Sequence, residues 1–337
     1  MKKEHLPGWV MMIALAVVST LISNLVTVGG KHPLEAAALA IILGMVLRNI
    51  GAVQRAFHPG IKAYEKILIP GIVLLGASLN FREFGSQGPR ILVIILATML
   101  ISFFVIYLLA KAFGLSRELA LLLTVGTTIC GTSAIAVTAP LIKAREEETA
   151  YAIATITLWG LAAILVYPKV AQLLGASDLV FGVFAGTSIH ATPQVVGAGF
   201  IFSEAAGKTA TAVKLVRNCF IAPLAFLIAA WYAGTSLKNS RERGAGPGAA
   251  ALARAFPWFL FGYFVMAGFN SLGFLTAQGV KALTTAGKYL ILTAMAGIGL
   301  NTVFSTFKQV GLKPLIMGLL GAAVVAGVSL GLISLVL

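Results

Sequence analysis

The sequence predicts an all-α, polytopic bundle of transmembrane helices, and three observations carry the prediction. Of 337 residues, 59% are hydrophobic and only 11% charged. A soluble chain of this length needs far more polar surface than that. Apolar runs of about 20 residues recur from end to end, each long enough to cross a bilayer as a helix. The charged residues gather in the short connections between these runs.

Eleven spans follow in order: 8–28, 34–51, 66–81, 90–111, 118–141, 149–168, 178–201, 209–234, 255–275, 283–304 and 314–337. The first begins MKKEHLPGWVMMIALAVVST, basic at its start like a signal peptide. Its apolar part nears a full span and no A-x-A site follows, so it reads as an uncleaved first helix. The fifth and seventh spans carry GTTICGTSAIA and GTSIHATPQVVGAG, where glycines, hydroxyls and a proline interrupt the apolar pattern. The sixth opens on Arg145-Glu146-Glu147-Glu148, read as a solvated loop whose acids favour a helix N-terminus. The eighth holds Lys214 and Arg217, three apart and so on one helix face. Residues 236–256, SLKNSRERGAGPGAAALARAF, read as a mobile loop. The tenth, with GIGLN at 297–301, is expected to be glycine-interrupted like the fifth.

With a cytoplasmic N-terminus, fifteen of the 25 basic residues fall on that side and eight on the other. This split obeys the positive-inside rule and sends the C-terminus outside. It makes this a multi-pass membrane protein whose N-terminus faces the cytoplasm. The net charge of +14 then reflects basic loops meeting anionic lipid rather than nucleic acid. Cys130 and Cys219 lie in apolar segments without a CxxC pattern, so no metal site, disulfide framework or cofactor is expected.

Internal similarity suggests repeats. GASLN at 76–80 matches GIGLN at 297–301, and GTSAIAVTAP at 131–140 matches GTSIHATPQV at 186–195. Secondary transporters are commonly built from inverted repeats with broken helices near the midplane. One domain over 1–337 would place a leading helix at 8–28, a first repeat at 34–168 and a second at 178–337.

None of the eleven acidic residues falls mid-span, while Lys214 and Arg217 do. The local balance favours an anionic substrate. Helix breaks add backbone N–H groups and positive dipole ends. The candidate substrate-binding residues are Gly131, Thr132, Ser133, Gly186, Thr187, Ser188, His190, Gln194, Lys214, Arg217, Asn80 and Asn301. Each has a blander reading. Small residues pack membrane helices closely, a buried histidine can be purely structural, and Lys214 and Arg217 can snorkel to the interface. Several polar groups clustered at one depth favour a site, and His190 is the one intramembrane proton carrier by its ordinary pKa.

CGTSAIAVTAP, KAREEETAYAIATITLWGLAAILVYP, GTSIHATPQVVGAG and KLVRNCFIAP together resemble a bacterial family of membrane proteins proposed to export sulfate, the UPF0324-type proteins. The resemblance covers most of the chain. It implies a distant relation to bile-acid/sodium symporters and cation/proton antiporters, with inverted repeats and crossing, broken helices. The family pattern places an acidic residue soon after the histidine. Ala191 and Thr192 stand there, which argues against a His–acid proton pair.

The expected activity is secondary transport of small anions, with sulfate or a sulfonate as the lead substrate, by alternating access and without enzymatic chemistry. The expected partners are the anion, H⁺ or Na⁺ as coupling ion, membrane lipids and a second copy as homodimer. The alternatives are a sodium-coupled organic-anion symporter, a passive channel and an intramembrane hydrolase. The last is disfavoured because Ser188 and His190 sit two residues apart, on different helix faces.

Overall fold

A computed structural model describes residues 3–25, 35–81, 87–221, 223–224, 226–228, 258–307 and 311–337. All regular elements among them are helical: α1 (Leu6–Leu25), α2 (Ala36–Asn49), α3 (His58–Lys62), α4 (Glu65–Leu75), α5 (Gly88–Ala112), α6 (Arg117–Val125), α7 (Thr132–Leu141), α8 (Glu146–Leu173), α9 (Asp178–Ser188), α10 (Thr192–Phe202), α11 (Glu204–Asn218), α12 (Phe259–Ser271), α13 (Ala277–Asn301) and α14 (Leu312–Val336), with a few short turns between them. Five are long and apolar enough to cross a bilayer unaided: α1, α5, α8, α13 and α14. The fold is that of a polytopic helical membrane protein. The connection expected at 236–256 lies outside the described residues.

Acids open the helices as expected. Glu118, Asp178 and Glu204 each stand in a first turn, where the helix dipole favours negative charge. Ser116, Ser177 and Thr276 cap α6, α9 and α13 with side-chain oxygens that accept backbone N–H bonds.

The chain divides into two compact units. The first comprises Met1–Gln87, Val196–Lys208 and Trp258–Thr306. Its centre is α13, packed along α2 and α4 with α1 alongside. Glycines let these backbones touch. A Cβ on Gly299 would lie 2.2 Å from the Ile41 carbonyl oxygen, and one on Gly44 2.8 Å from that of Ala296. Close approach of this kind binds helices where lipid removes the hydrophobic drive. Asn49 closes the end of α2. It donates to the Thr302 carbonyl (3.0 Å) and accepts from the Phe304 N–H (2.8 Å).

One expectation fails in this unit. The tenth span is not interrupted: α13 runs unbroken for 25 residues. Gly287, Gly297 and Gly299 face neighbouring helices, so they serve packing and need no unwinding. Lys288, the twelfth residue of α13, pairs with Glu204, which also holds Lys208 at 2.8 Å.

The second unit comprises Gly88–Val195, Thr209–Pro257 and Phe307–Leu337. Here α14 packs against α5, α8 and α9, and α6 against α5, α7 and α8. Trp159 Nε1 donates to the Leu315 carbonyl at 2.9 Å. The start of α8 departs from the expected solvated run, because Glu148 is only 4% exposed. It accepts from the Ser116 hydroxyl (2.5 Å), the Arg145 guanidinium (3.1 Å) and the Arg145 backbone N–H (3.2 Å).

Candidate functional site

Both interrupted spans of the second unit are broken helices, as their glycines predicted. In the fifth, α6 widens into a π turn over Gly126–Cys130, and the Gly131 N–H returns to the Gly126 carbonyl at 2.9 Å. Gly131 then adopts φ +72°, ψ −127° and α7 starts. Only glycine takes that conformation without strain. Thr124 and Thr128 each donate to a carbonyl four residues back (2.7 and 2.8 Å), a bond that bends helices. In the seventh, α9 stops at Ser188, Ile189 is extended, and α10 starts at Thr192 with Pro193 in its first turn. The residue before a proline is pushed out of the helical region. The two breaks touch, since a Cβ on Gly131 would sit 3.2 Å from the Ala191 Cβ.

Each break exposes carbonyls that have lost their helical donors. Lys214 and Arg217 reach both sets from α11. Lys214 Nζ donates to the carbonyls of Ile129 (2.7 Å), Ile189 (3.0 Å) and His190. Arg217 donates from Nε to Thr128 (2.8 Å), from Nη2 to Thr127 (2.8 Å), and from Nη1 to Gly186 and Ile189 (3.3 Å each). Both side chains are buried, at 0% and 1% exposure, so neither snorkels to an interface. The three ammonium protons are all used, and four guanidinium bonds are made.

The charge balance follows. Each helix C-terminus carries roughly −0.5 and each N-terminus roughly +0.5. Two helices end and two begin at the breaks, so their dipoles cancel to about zero. The full charges of Lys214 and Arg217 remain. Neither takes part in an ion pair among the described residues.

The two GTS motifs share letters but sit at opposite helix ends. Gly131-Thr132-Ser133 opens α7, which has no side-chain cap; Thr132 is half-buried and Ser133 exposed. Gly186-Thr187-Ser188 closes α9. The Thr187 hydroxyl bonds the Val183 carbonyl (2.7 Å) and the Ser329 hydroxyl (2.6 Å), and the Ser188 hydroxyl donates to Phe184 (2.6 Å). The expectation that these two hydroxyls point to an anion is not met, because a hydroxyl in a last helical turn bonds the carbonyl one turn back. The Gly186 backbone presses on α11, where a Cβ would meet Val213 at 2.6 Å.

His190 is 1% exposed and neither ring nitrogen has a hydrogen-bond partner among the described residues. Ser188 is therefore not paired with it. Gln194 accepts from the Ala191 N–H (2.9 Å), capping α10, and donates to the Thr157 carbonyl (3.3 Å). Gly160 makes room for it, since a Cβ there would lie 2.0 Å from Gln194 Oε1. Asn80 and Asn301 belong to the first unit.

Several participants escaped sequence reasoning. The carbonyls of Thr127, Thr128 and Ile129 carry no residue-type signal. Asn218, which donates to the Thr192 hydroxyl at 3.0 Å, has its Oδ1 buried without a partner, as does the Thr127 hydroxyl. The adjacency of Asn218 to Arg217 was the available clue.

The fold and the breaks define a polytopic membrane protein with two helices interrupted side by side. A family described as "Conserved hypothetical protein 698" matches residues 7–318. The chain is similar to a UPF0324 membrane protein of Bacillus cereus, 35% identical over 285 residues, which is 84% of this chain and 79% of that protein. It is 33% identical over 331 residues to the UPF0324 inner membrane protein YeiH of Escherichia coli, covering 95% and 92% of the two chains. A UPF0324 membrane protein of Oceanobacillus iheyensis is 32% identical over 296 residues, covering 88% and 86%. The chain belongs to this family of bacterial membrane proteins, as the motifs had indicated.

Proposed function

We propose that the protein is a secondary transporter of small anions, with sulfate or a sulfonate as lead substrate, working by alternating access in the inner membrane. The N-terminus would lie in the cytoplasm and the C-terminus outside. The observation that carries the reading is the pair of fully buried cations at two touching helix breaks with no acidic partner among the described residues. Two buried charges with satisfied hydrogen bonds but no counter-charge make a region that attracts an anion.

Their donors are spent on carbonyls, so Lys214 and Arg217 act on the substrate by field rather than by contact. Direct contact falls to the His190 ring and the Thr127 hydroxyl, which still lack partners, and to the start of α7 with Thr132 and Ser133. An orphaned buried polar group costs about 1–3 kcal/mol, which a bound oxyanion would return. The sodium-symporter alternative loses support here, because the carbonyls at the breaks already accept from Lys214 and Arg217.

The test is a thermal-shift screen of purified protein with sulfate, sulfite, thiosulfate, taurine, chloride and small carboxylates, followed by uptake into liposomes. One anion should stabilise the wild type, and His190→Ala should lose that stabilisation while keeping its basal Tm. Stabilisation by no anion, or an undiminished response in His190→Ala and Ser133→Ala alike, would sink the reading.

A further inference from the structure

We infer that Lys214 is a tethered cation. It permanently fills a carbonyl cage that would otherwise bind a small free monovalent cation, so the protein works without sodium. The cage stands on its own geometry; the consequence for transport rests on the carrier reading above.

The three acceptors come from two separate breaks. Ile129 lies at the end of the π turn, while Ile189 and His190 lie beyond the end of α9. They converge on one nitrogen at 2.7 Å, 3.0 Å and a third, shorter contact. All are uncharged carbonyl oxygens at negative helix ends, the ligand type that broken-helix carriers offer to a coupling cation. A lysine with only a structural task would be expected to pair with a carboxylate or to reach water. This one is wholly enclosed and has no ion pair among the described residues. It occupies the cage as a covalently attached ammonium, at a local concentration no free ion can match. Arg217 holds the neighbouring carbonyls of Thr127, Thr128 and Gly186, so few break carbonyls are left for a second cation.

The experiment is chemical rescue. Lys214→Ala leaves the cage and a channel the width of the missing side chain; Lys214→Met fills that channel without a charge. Tm is read for both variants and the wild type in choline, sodium, potassium, ammonium and propylammonium chlorides. The wild type should be indifferent to the cation. Lys214→Ala should unfold earlier and regain about half or more of the loss in ammonium or propylammonium, while Lys214→Met regains nothing. Equal Tm of Lys214→Ala in every salt would overturn the cage. Should Lys214→Ala not fold, the wild type alone still decides: saturable stabilisation by sodium overturns the inference, and its absence across a titration supports it. These readouts use cations against a constant anion, so failure of the anion screen leaves them intact.

Discussion

The two units of this chain solve the same problem in opposite ways. Each must hold helices together where the apolar effect between them is weak. The first does it with glycines. Gly299 and Gly44 bring α13 against α2 at backbone distance, and α13 stays whole over 25 residues. The second breaks two helices and then repairs the damage with two buried cations that reach the freed carbonyls of both. Close packing gives rigidity without charge. Broken helices give a charged interior, which carries an energetic cost and is worth having only where something polar has to bind.

The largest effect should come from Arg217→Met. It strands the carbonyls of Thr127, Thr128 and Gly186, and we expect a loss of about 3 kcal/mol or more in reversible unfolding. A change under about 1 kcal/mol would mean the breaks do not need stapling. Next is Gly299→Val in the first unit, whose Cβ would meet the Ile41 carbonyl. Overpacking should lower stability by about 1–3 kcal/mol without altering any anion response. An equal loss of anion stabilisation would blur the division between the units. Gly160→Ala should cost about 1 kcal/mol by displacing Gln194 from the Ala191 N–H, and it should weaken anion binding as well; reversible unfolding reads the first and titration calorimetry the second.

Glu148→Gln comes next. It removes the charge that holds the Arg145 guanidinium and backbone N–H and the Ser116 hydroxyl, and reversible unfolding should show a loss of about 1 kcal/mol. Smallest of all is Lys288→Met. Its partner Glu204 is half exposed and keeps Lys208, so the change should stay under about 1 kcal/mol; a larger loss would show that the first unit also depends on its charges.

Much of this was legible in the residues. Hydropathy placed the apolar segments that form helices among the described residues, glycines marked both breaks, and a proline marked the second. The absence of mid-span acids, with Lys214 and Arg217 three apart, singled out the pair of cations that the structure buries at the breaks. What stayed hidden was which glycines unwind a helix. GIGLN looked like a break because packing glycines and unwinding glycines have the same letter, and only the neighbouring backbone distinguishes them. The carbonyls that receive the two cations were invisible for the same reason, since every residue carries one.

The sequence by itself determined the class: a helical membrane protein with broken helices and two intramembrane cations. It could do so because periodicity, hydropathy and turn chemistry are local. Only the tertiary structure decided that one GTS opens a helix and the other closes one, that Thr187 and Ser188 are spent on their own helix, and that Lys214 and Arg217 serve carbonyls. Each of these depends on which end of a helix faces which neighbour. That direction is set by chain topology, and identical short motifs cannot encode it.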